Sequence, residues 1–408
     1  MNSRMVKVIG VVAVVVAVGV LLLTLAQARN ERRDTDAALR TPWGEPDLQG
    51  IWADEFQTPF ERPAKYADKE FLTEEERVAL DKQRAAAAHY GDIGVAPKGT
   101  EQDVAAAYNT VFFTHRRTGR RTSMVVDPPN GKIPPFTAEA QKRRAEWREY
   151  WLALMQPTQA CKDQLFACRG GRYGRPSPRR FETPPVYVVN GAGGGGGGAM
   201  NRSDGPEDRG PSERCLGASV PEFGGMVGGA FRRIVQGPGV VMVYYDTNQG
   251  QGLFRVIHAD GSPHLPSHIR QWEGDSRGRW DGDTLIVDAT NFTPKTDFRG
   301  SRENLHLVER WRRVNPKTIE YTVTIEDPTT WTRPWTVKQE FQKQNDQLNR
   351  VYYEPRCHEG NFGMVGLLAG MRQAERDFAS GKGPNPATLC TGGCGSGIED
   401  AEDADPLQ

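Results

Sequence analysis

Between Phe231 and Glu354 apolar and polar side chains alternate. Ile319, Tyr321, Val323 and Ile325 are interleaved with Glu320, Thr322, Thr324 and Glu326, the period of a strand with one buried face. Trp335, Val337 and Phe341 alternate with Thr336, Lys338 and Glu340, and Leu305, Leu307 and Trp311 share a face with Glu309. Further runs at 239–245, 252–258, 269–273, 283–289 and 348–354 are divided by turn signals such as Asp260-Gly261, Asp281-Gly282, Asn315-Pro316 and Asn345-Asp346. The pattern predicts eight or nine strands with short connections, an antiparallel meander. That number is enough to close a barrel, with a sandwich as the competing architecture. The chain reads as mainly β with α decoration, in the α+β class.

Elsewhere the period is different. Thr73 and Glu76 have capping-box spacing ahead of a run of helix formers to Ala88, and a second helix is expected from Thr137 to about Met155. A last one, about Gly363 to Ser380, would pack outside the barrel or plug one end. Residues 29–70 hold Pro42, Pro46, Pro59 and Pro63, which disfavour helix and suit a chain laid across a surface. Trp43, Ile51, Trp52, Phe56 and Phe60 lie among them, apolar enough to pin such an arm down. The expected organisation is therefore an extended arm with two helices over 29–170, an irregular Gly-rich insertion over 171–230, a barrel-like core with its closing helix over 231–380, and a disordered tail over 381–408. The unbroken glycines Gly193 to Gly198 lack the Gly-Lys-Ser/Thr and following helix of a phosphate loop, so they read as a flexible insertion.

The N-terminus changes the picture most. Arg4 and Lys7 precede an apolar run from Val8 to Leu25, then Ala26-Gln27-Ala28 and a charged stretch. This is the layout of a secretory signal peptide over 1–28, with an uncleaved membrane anchor as the alternative. The body of the protein is then exported, periplasmic or secreted, with no integral membrane span once the signal is cleaved. Six cysteines in an exported chain can pair. The simplest scheme joins Cys161 to Cys168 and Cys390 to Cys394 and leaves Cys215 and Cys357, one of the 15 arrangements six cysteines allow. A zinc site is the rival reading of the Cys390–Cys394 spacing, and its flanks lack a Cys/His knuckle. Lys plus Arg and Asp plus Glu both number 52, which argues against a nucleic-acid partner. The pattern specifies no oligomeric state.

Histidines concentrate in the strand-rich region: His258, His264, His268, His306 and His358. His264 and His268 have ligand-like spacing for a metal and Cys357-His358-Glu359 adds donors, but Pro266 keeps the first two off one helix face and no zinc signature is present. Nothing calls for a cofactor. Glu309 shares a face with Leu305, Leu307 and Trp311, and a carboxylate on an apolar face needs a partner or rises in pKa. It is a candidate acid or base, with His264, His358 and Glu359 as candidate companions. The competing reading is an internal ion pair with Arg270 or Arg313. Period-two counting puts His306 on the opposite face from Glu309. Gly274-Asp275-Ser276-Arg277-Gly278 is read as a turn rather than a serine nucleophile, and Asp275, Asp281 and Asp283 as turn residues rather than calcium ligands. Trp272, Trp280, Trp311, Trp335 and Tyr244 are candidates to line an apolar pocket, with core packing as the alternative.

Several long motifs carry a resemblance. They are Pro46-Asp-Leu-Gln-Gly-Ile-Trp52, Pro263-His-Leu-Pro266, Ile269 through Leu285, Asn304-Leu-His-Leu-Val-Glu-Arg310, Glu326 through Trp335 and Cys357-His-Glu-Gly-Asn361. With the segment Thr122 to Pro135 they resemble a widespread family of exported bacterial proteins without an assigned activity. The resemblance spans about 41 to 375. It implies export and little about chemistry. The Gly193–Gly198 run and the cysteine-bearing tail depart from the family pattern. By strand count and order the shape is similar to calycins.

Three functions follow as expectations: an exported barrel that binds a small hydrophobic or aromatic ligand; an acid–base hydrolase, lyase or isomerase using Glu309 with loop histidines; or a structural or interaction module of the cell envelope.

Overall fold

The computed structural model describes residues 39–86, 117–165, 168–185, 200–210, 214, 220–223, 231–246, 253–295, 297–344 and 362–391. The signal-peptide, Gly193–Gly198 and 348–354 readings, together with His358, Glu359 and the end of the tail, lie outside them.

Nine strands form a closed barrel. In chain order the strands are β1 (Gly50–Ala53), β2 (Phe56–Gln57), β3 (Arg117–Thr118), β4 (Val125–Asp127), β5 (Phe231–Gly237), β6 (Val240–Asp246), β7 (Leu253–His258), β8 (Asp275–Asp281), β9 (Thr284–Thr290), β10 (His306–Asn315), β11 (Thr318–Glu326) and β12 (Trp335–Lys343). The ring runs β1-β5-β6-β7-β8-β9-β10-β11-β12 and closes because β1 also pairs with β12. β4 adds to the far end of β12, and β2 pairs with β3 outside the ring.

Alternation builds this wall. Ile319, Tyr321, Val323 and Ile325 of β11 are buried, as are Trp335, Val337 and Phe341 of β12. They join Val241, Val243 and Tyr245 of β6 and Leu307 and Trp311 of β10 in one core.

Two departures from the sequence reading matter. The core is not confined to 231–380. Strand β1, from the segment expected to be a surface arm, pairs Trp52 with Arg232 on one side and Lys343 on the other. Trp52 is fully buried and its Nε1–H donates to the Leu48 carbonyl at 2.8 Å. Four residues are too short for a period to register, so only the tertiary closure reveals the strand.

The second departure is β8. The run 269–273 is not a strand: Ile269 is exposed, and Arg270 spends its guanidinium on the Phe292 and Glu303 carbonyls. The strand is instead 275–281, most of which had read as a turn. Its inward residues are Ser276, Gly278 and Trp280, small or polar at two of three places, so no apolar alternation shows. Gly278 is required there: a Cβ would stand 2.8 Å from Ile257 Cγ2. β8 also runs parallel to β7, through Ile257↔Ser276 and His258↔Arg277, so the meander is not wholly antiparallel.

The helices follow their caps. α1 (Glu74–Ala86) has the expected capping box: Thr73 N–H donates to Glu76 Oε2 at 2.7 Å and Glu76 N–H to Thr73 Oγ1 at 3.3 Å. α2 (Ala138–Met155) starts at Thr137, whose side chain accepts from Ala140 N–H. α2, α3 (Gln159–Lys162) and the Met200 region bury a second apolar cluster, with Trp147, Tyr150, Trp151 and Leu154. The Cys161–Cys168 disulfide staples it, Cα to Cα 4.7 Å. Cys390 is also disulfide-bonded. α4 (Phe362–Ala379) is the expected last helix. Among the described residues no helix is long and apolar enough to cross a membrane.

Candidate functional site

On the barrel wall, charged and polar groups among the described residues gather at two places, one on each face. The inner one centres on Glu309. β10 places it inward between Leu307 and Trp311, with none of its surface exposed. Tyr321, across on β11, donates its hydroxyl to Glu309 Oε1 at 2.6 Å. Arg255 of β7 brings Nη1 to 2.7 Å from Oε2. That approach lies off the N–H direction, so it is an ion pair rather than a straight hydrogen bond. Arg255 Nε donates to Ser276 Oγ at 2.9 Å.

Aromatic rings surround this group. Trp311 lies 4.5 Å from Tyr321, centroid to centroid, and both pack on Phe341. Arg232 lays its guanidinium over Phe341 at 4.1 Å and Tyr245 at 5.6 Å.

Such a dry setting moves protonation equilibria. Burial pulls the Arg255 pKa down, but the adjacent Glu309 charge and the Tyr245 and Tyr321 hydroxyls more than compensate, and Arg255 stays charged. Burial raises Tyr321 well above the ordinary phenol range and, with it, Glu309's charge; Tyr245 is raised chiefly by burial. Glu273, just ahead of β8, is pushed up to about 7 by burial, opposed by its own backbone N–H and by the Arg255 charge.

The outer site is a chain of alternating carboxylates and imidazoles. His264 Nδ1 meets Asp275 Oδ2 at 2.7 Å and its Nε2 meets Asp288 Oδ1 at 3.0 Å. Asp288 Oδ2 meets His306 Nε2 at 3.0 Å, and His306 Nδ1 meets Glu326 Oε2 at 3.1 Å. Arg277 grips the far end with a fork on Asp275, at 3.0 and 2.8 Å. An imidazole donates to two carboxylates only as the imidazolium. His306 is held in that form: the Asp288 bond lifts its pKa, burial opposes, the Glu326 bond adds, and it reaches about 9. Asp288 is lowered first by the His306 bond, against burial. Asp275 is lowered because the Arg277, Leu265 N–H and His264 bonds outweigh burial.

Among the described residues the predicted site residues do not converge, and His358 and Glu359 lie outside them. Glu309 is inside the barrel and His264 is outside it, so the structure does not bring together the acid–base pairing drawn from the sequence. His306 faces away from Glu309, as period-two counting indicates. The ion-pair partner of Glu309 is Arg255, not Arg270 or Arg313; Arg313 is committed to Asp47 and to the Pro316 carbonyl. The five pocket candidates are scattered. Trp311 is interior; Trp335 packs at another part of the core with Phe298, Trp331 and Phe60. Trp280 is half-buried against the core. Tyr244 is on the outer face with Ile51 and Phe254, because Tyr245 takes the inward place. Trp272 is on the β7–β8 loop beside Arg214. His264 is occupied by two carboxylates and His268 is exposed; among the described residues no group of three or more His, Cys, Asp and Glu could hold a metal. Ser276 accepts from Arg255 and faces away from His264, so no nucleophile is assembled. Asp283 pairs with Arg40, away from Asp275.

Arg255, Asp288, Tyr321 and Glu273 were missed. Two carried a signal: Arg255 is in step with Ile257, and Asp288 interrupts Leu-Ile-Val and Ala.

No protein-family model matches the chain, and no curated protein matches it. Among solved structures, a "secretary abundant heat soluble (SAHS) protein" from Ramazzottius varieornatus is similar at 15% identity, over 32% of this chain and 82% of that one, with a TM-score of 0.22. The barrel assignment rests instead on the hydrogen-bonded strand order.

Proposed function

We propose that this protein is an exported barrel that binds a small hydrophobic or aromatic molecule within its wall. One observation carries the reading: a charged and hydroxyl-bearing group, Arg255, Glu309 and Tyr321, stands among Trp311, Phe341 and Tyr245 in the barrel interior. An apolar side chain at each of those polar places would avoid the desolvation cost. An apolar lining with a few fixed polar groups is the make-up of a small-molecule site. Export is supported by the N-terminal sequence and by the Cys161–Cys168 disulfide, a bond favoured in oxidising compartments. The long motifs support membership of the exported bacterial family they resemble.

The test uses the chain secreted into a bacterial periplasm and titrated with N-phenyl-1-naphthylamine, whose fluorescence rises in apolar surroundings. The expected result is saturable binding at one probe per chain, weakened by Trp311→Ala, with residues 1–28 absent from the recovered protein. Fluorescence that rises without saturating, or is unchanged in the Trp311→Ala chain, overturns the binding reading. Retention of residues 1–28 in the membrane fraction overturns cleavage.

A further inference from the structure

Resting on that binding reading, we infer that the molecule taken into the barrel is electrically neutral and carries a hydrogen-bond acceptor of the carbonyl type beside its apolar body. The argument is an inventory of buried polar atoms. Trp280, Leu285 and Trp311 stand in one row across β8, β9 and β10. Trp311 is 2% exposed, and its indole N–H has no protein acceptor; nor has that of Trp280. Arg255, 3% exposed, is taken up by Glu309, Ser276 and the Tyr245 hydroxyl alongside. Two unpaired indole N–H groups in one row of the barrel make a surplus, because buried N–H groups are nearly always paired.

Most acceptors nearby are already engaged. Glu309 Oε1 takes the Tyr321 proton, Oε2 faces Arg255 Nη1, and Ser276 Oγ takes Arg255 Nε. Gln339, next to Tyr321 in register, has an unpaired Oε1, but its amide nitrogen is turned to Asp54 and the Phe223 carbonyl, both at 3.2 Å. The surplus therefore lies on the donor side, and an occupant must accept. Charge gives the second condition. The Arg255 guanidinium is already matched by the Glu309 carboxylate, so an anionic ligand would bring a charge that this pair does not balance. What remains unmet is hydrogen-bond acceptance without charge, as a ketone, ester or quinone oxygen supplies.

The experiment is equilibrium dialysis of the full chain at pH 7 with three probes of one ring size: naphthalene, 2-acetonaphthone and 2-naphthoate. The expected result is that 2-acetonaphthone binds about tenfold or more tighter than naphthalene, the value of one good hydrogen bond to a buried donor, and tighter than 2-naphthoate. Trp311→Phe keeps an aromatic ring and removes the N–H; it should weaken 2-acetonaphthone more than naphthalene and so reduce the 2-acetonaphthone advantage. Trp280→Phe, at a half-buried position, repeats the test if the first variant folds poorly. Equal binding of naphthalene and 2-acetonaphthone overturns the acceptor inference and leaves the binding reading standing. Tightest binding by 2-naphthoate overturns neutrality. Binding of none of the three overturns the binding reading itself.

Discussion

Two sets of acids and bases sit back to back on the same strands. On β10, His306 and Glu309 are three residues apart and face opposite ways. On β8, Ser276 faces in while Asp275 and Arg277 face out. Inside, one carboxylate and one guanidinium meet in a dry, aromatic setting, with Tyr321 on one carboxylate oxygen and Arg255 against the other. Outside, three carboxylates and two imidazoles form a chain whose middle, Asp288, is 45% exposed. The residue types are nearly the same. Their difference is solvent: inside, losing one partner strands a charge in a medium that cannot solvate it; outside, water replaces what is lost. The inner set is consequently a fixed feature of the barrel. In the outer set, His306 is the group whose raised pKa ties stability to pH.

The strongest test removes Glu309. Glu309→Leu leaves Arg255 buried and unpaired and should cost about 3–5 kcal/mol in urea unfolding. Adding Arg255→Met should restore most of that, and the loss should change little with salt. A double variant no more stable than the single would mean that the inner pair is not the isolated unit described here.

Asp275 sharpens the comparison, because it faces outward and is nevertheless only 3% exposed beneath the β7–β8 loop. It holds Arg277, His264 and the Leu265 N–H together. Asp275→Ala should cost about 1–3 kcal/mol, between the two extremes, if burial rather than the side of the wall sets the scale. A loss as small as that of an exposed pair would put the face itself in charge.

The smallest effect belongs to His306. His306→Ala should change stability by no more than about 1 kcal/mol, and less in high salt. Its signature is in pH. The folded pKa is raised from 6.5 to about 9, so the contribution is complete below 6.5 and is lost as pH rises through 9. Glu273 slopes the same way in a lower window: its protonated form is favoured in the folded state, so its contribution is lost between 4.5 and about 7. Urea midpoints measured from pH 5 to 10 should fall in both windows. His306→Ala should flatten the upper one and Glu273→Gln the lower.

Much of the architecture was legible where a local rule operates over enough residues. The Thr73–Glu76 box, the Thr137 cap and the nine-residue alternation of β11 each state their element without help from the rest of the chain. β1 and β8 did not, for opposite reasons: β1 is too short to display a period, and β8 turns Ser276 and Gly278 inward where apolar residues announce a strand. The site was half legible. Glu309 declared itself by standing in line with Leu307 and Trp311. Its partner did not, because Arg255 comes from β7, three places round the wall from β10, and no local period links the two. The His264–Asp288–His306 chain unites a loop and two strands, and no spacing in the sequence records that.

The ring has one further property, which is arithmetical. Directions that alternate around a closed circle must come in even number, and this circle has nine members. Somewhere two neighbours must point the same way, and here they are β7 and β8. Like-directed neighbours cannot be joined by a tight hairpin; the chain has to travel back along the wall before it can start again. Residues 259–274 are that return journey, and His264, Leu265 and Glu273 are stations on it. The outer histidine chain and the titrating carboxyl near Arg255 thus exist where they do because an odd ring obliges the backbone to take the long way round.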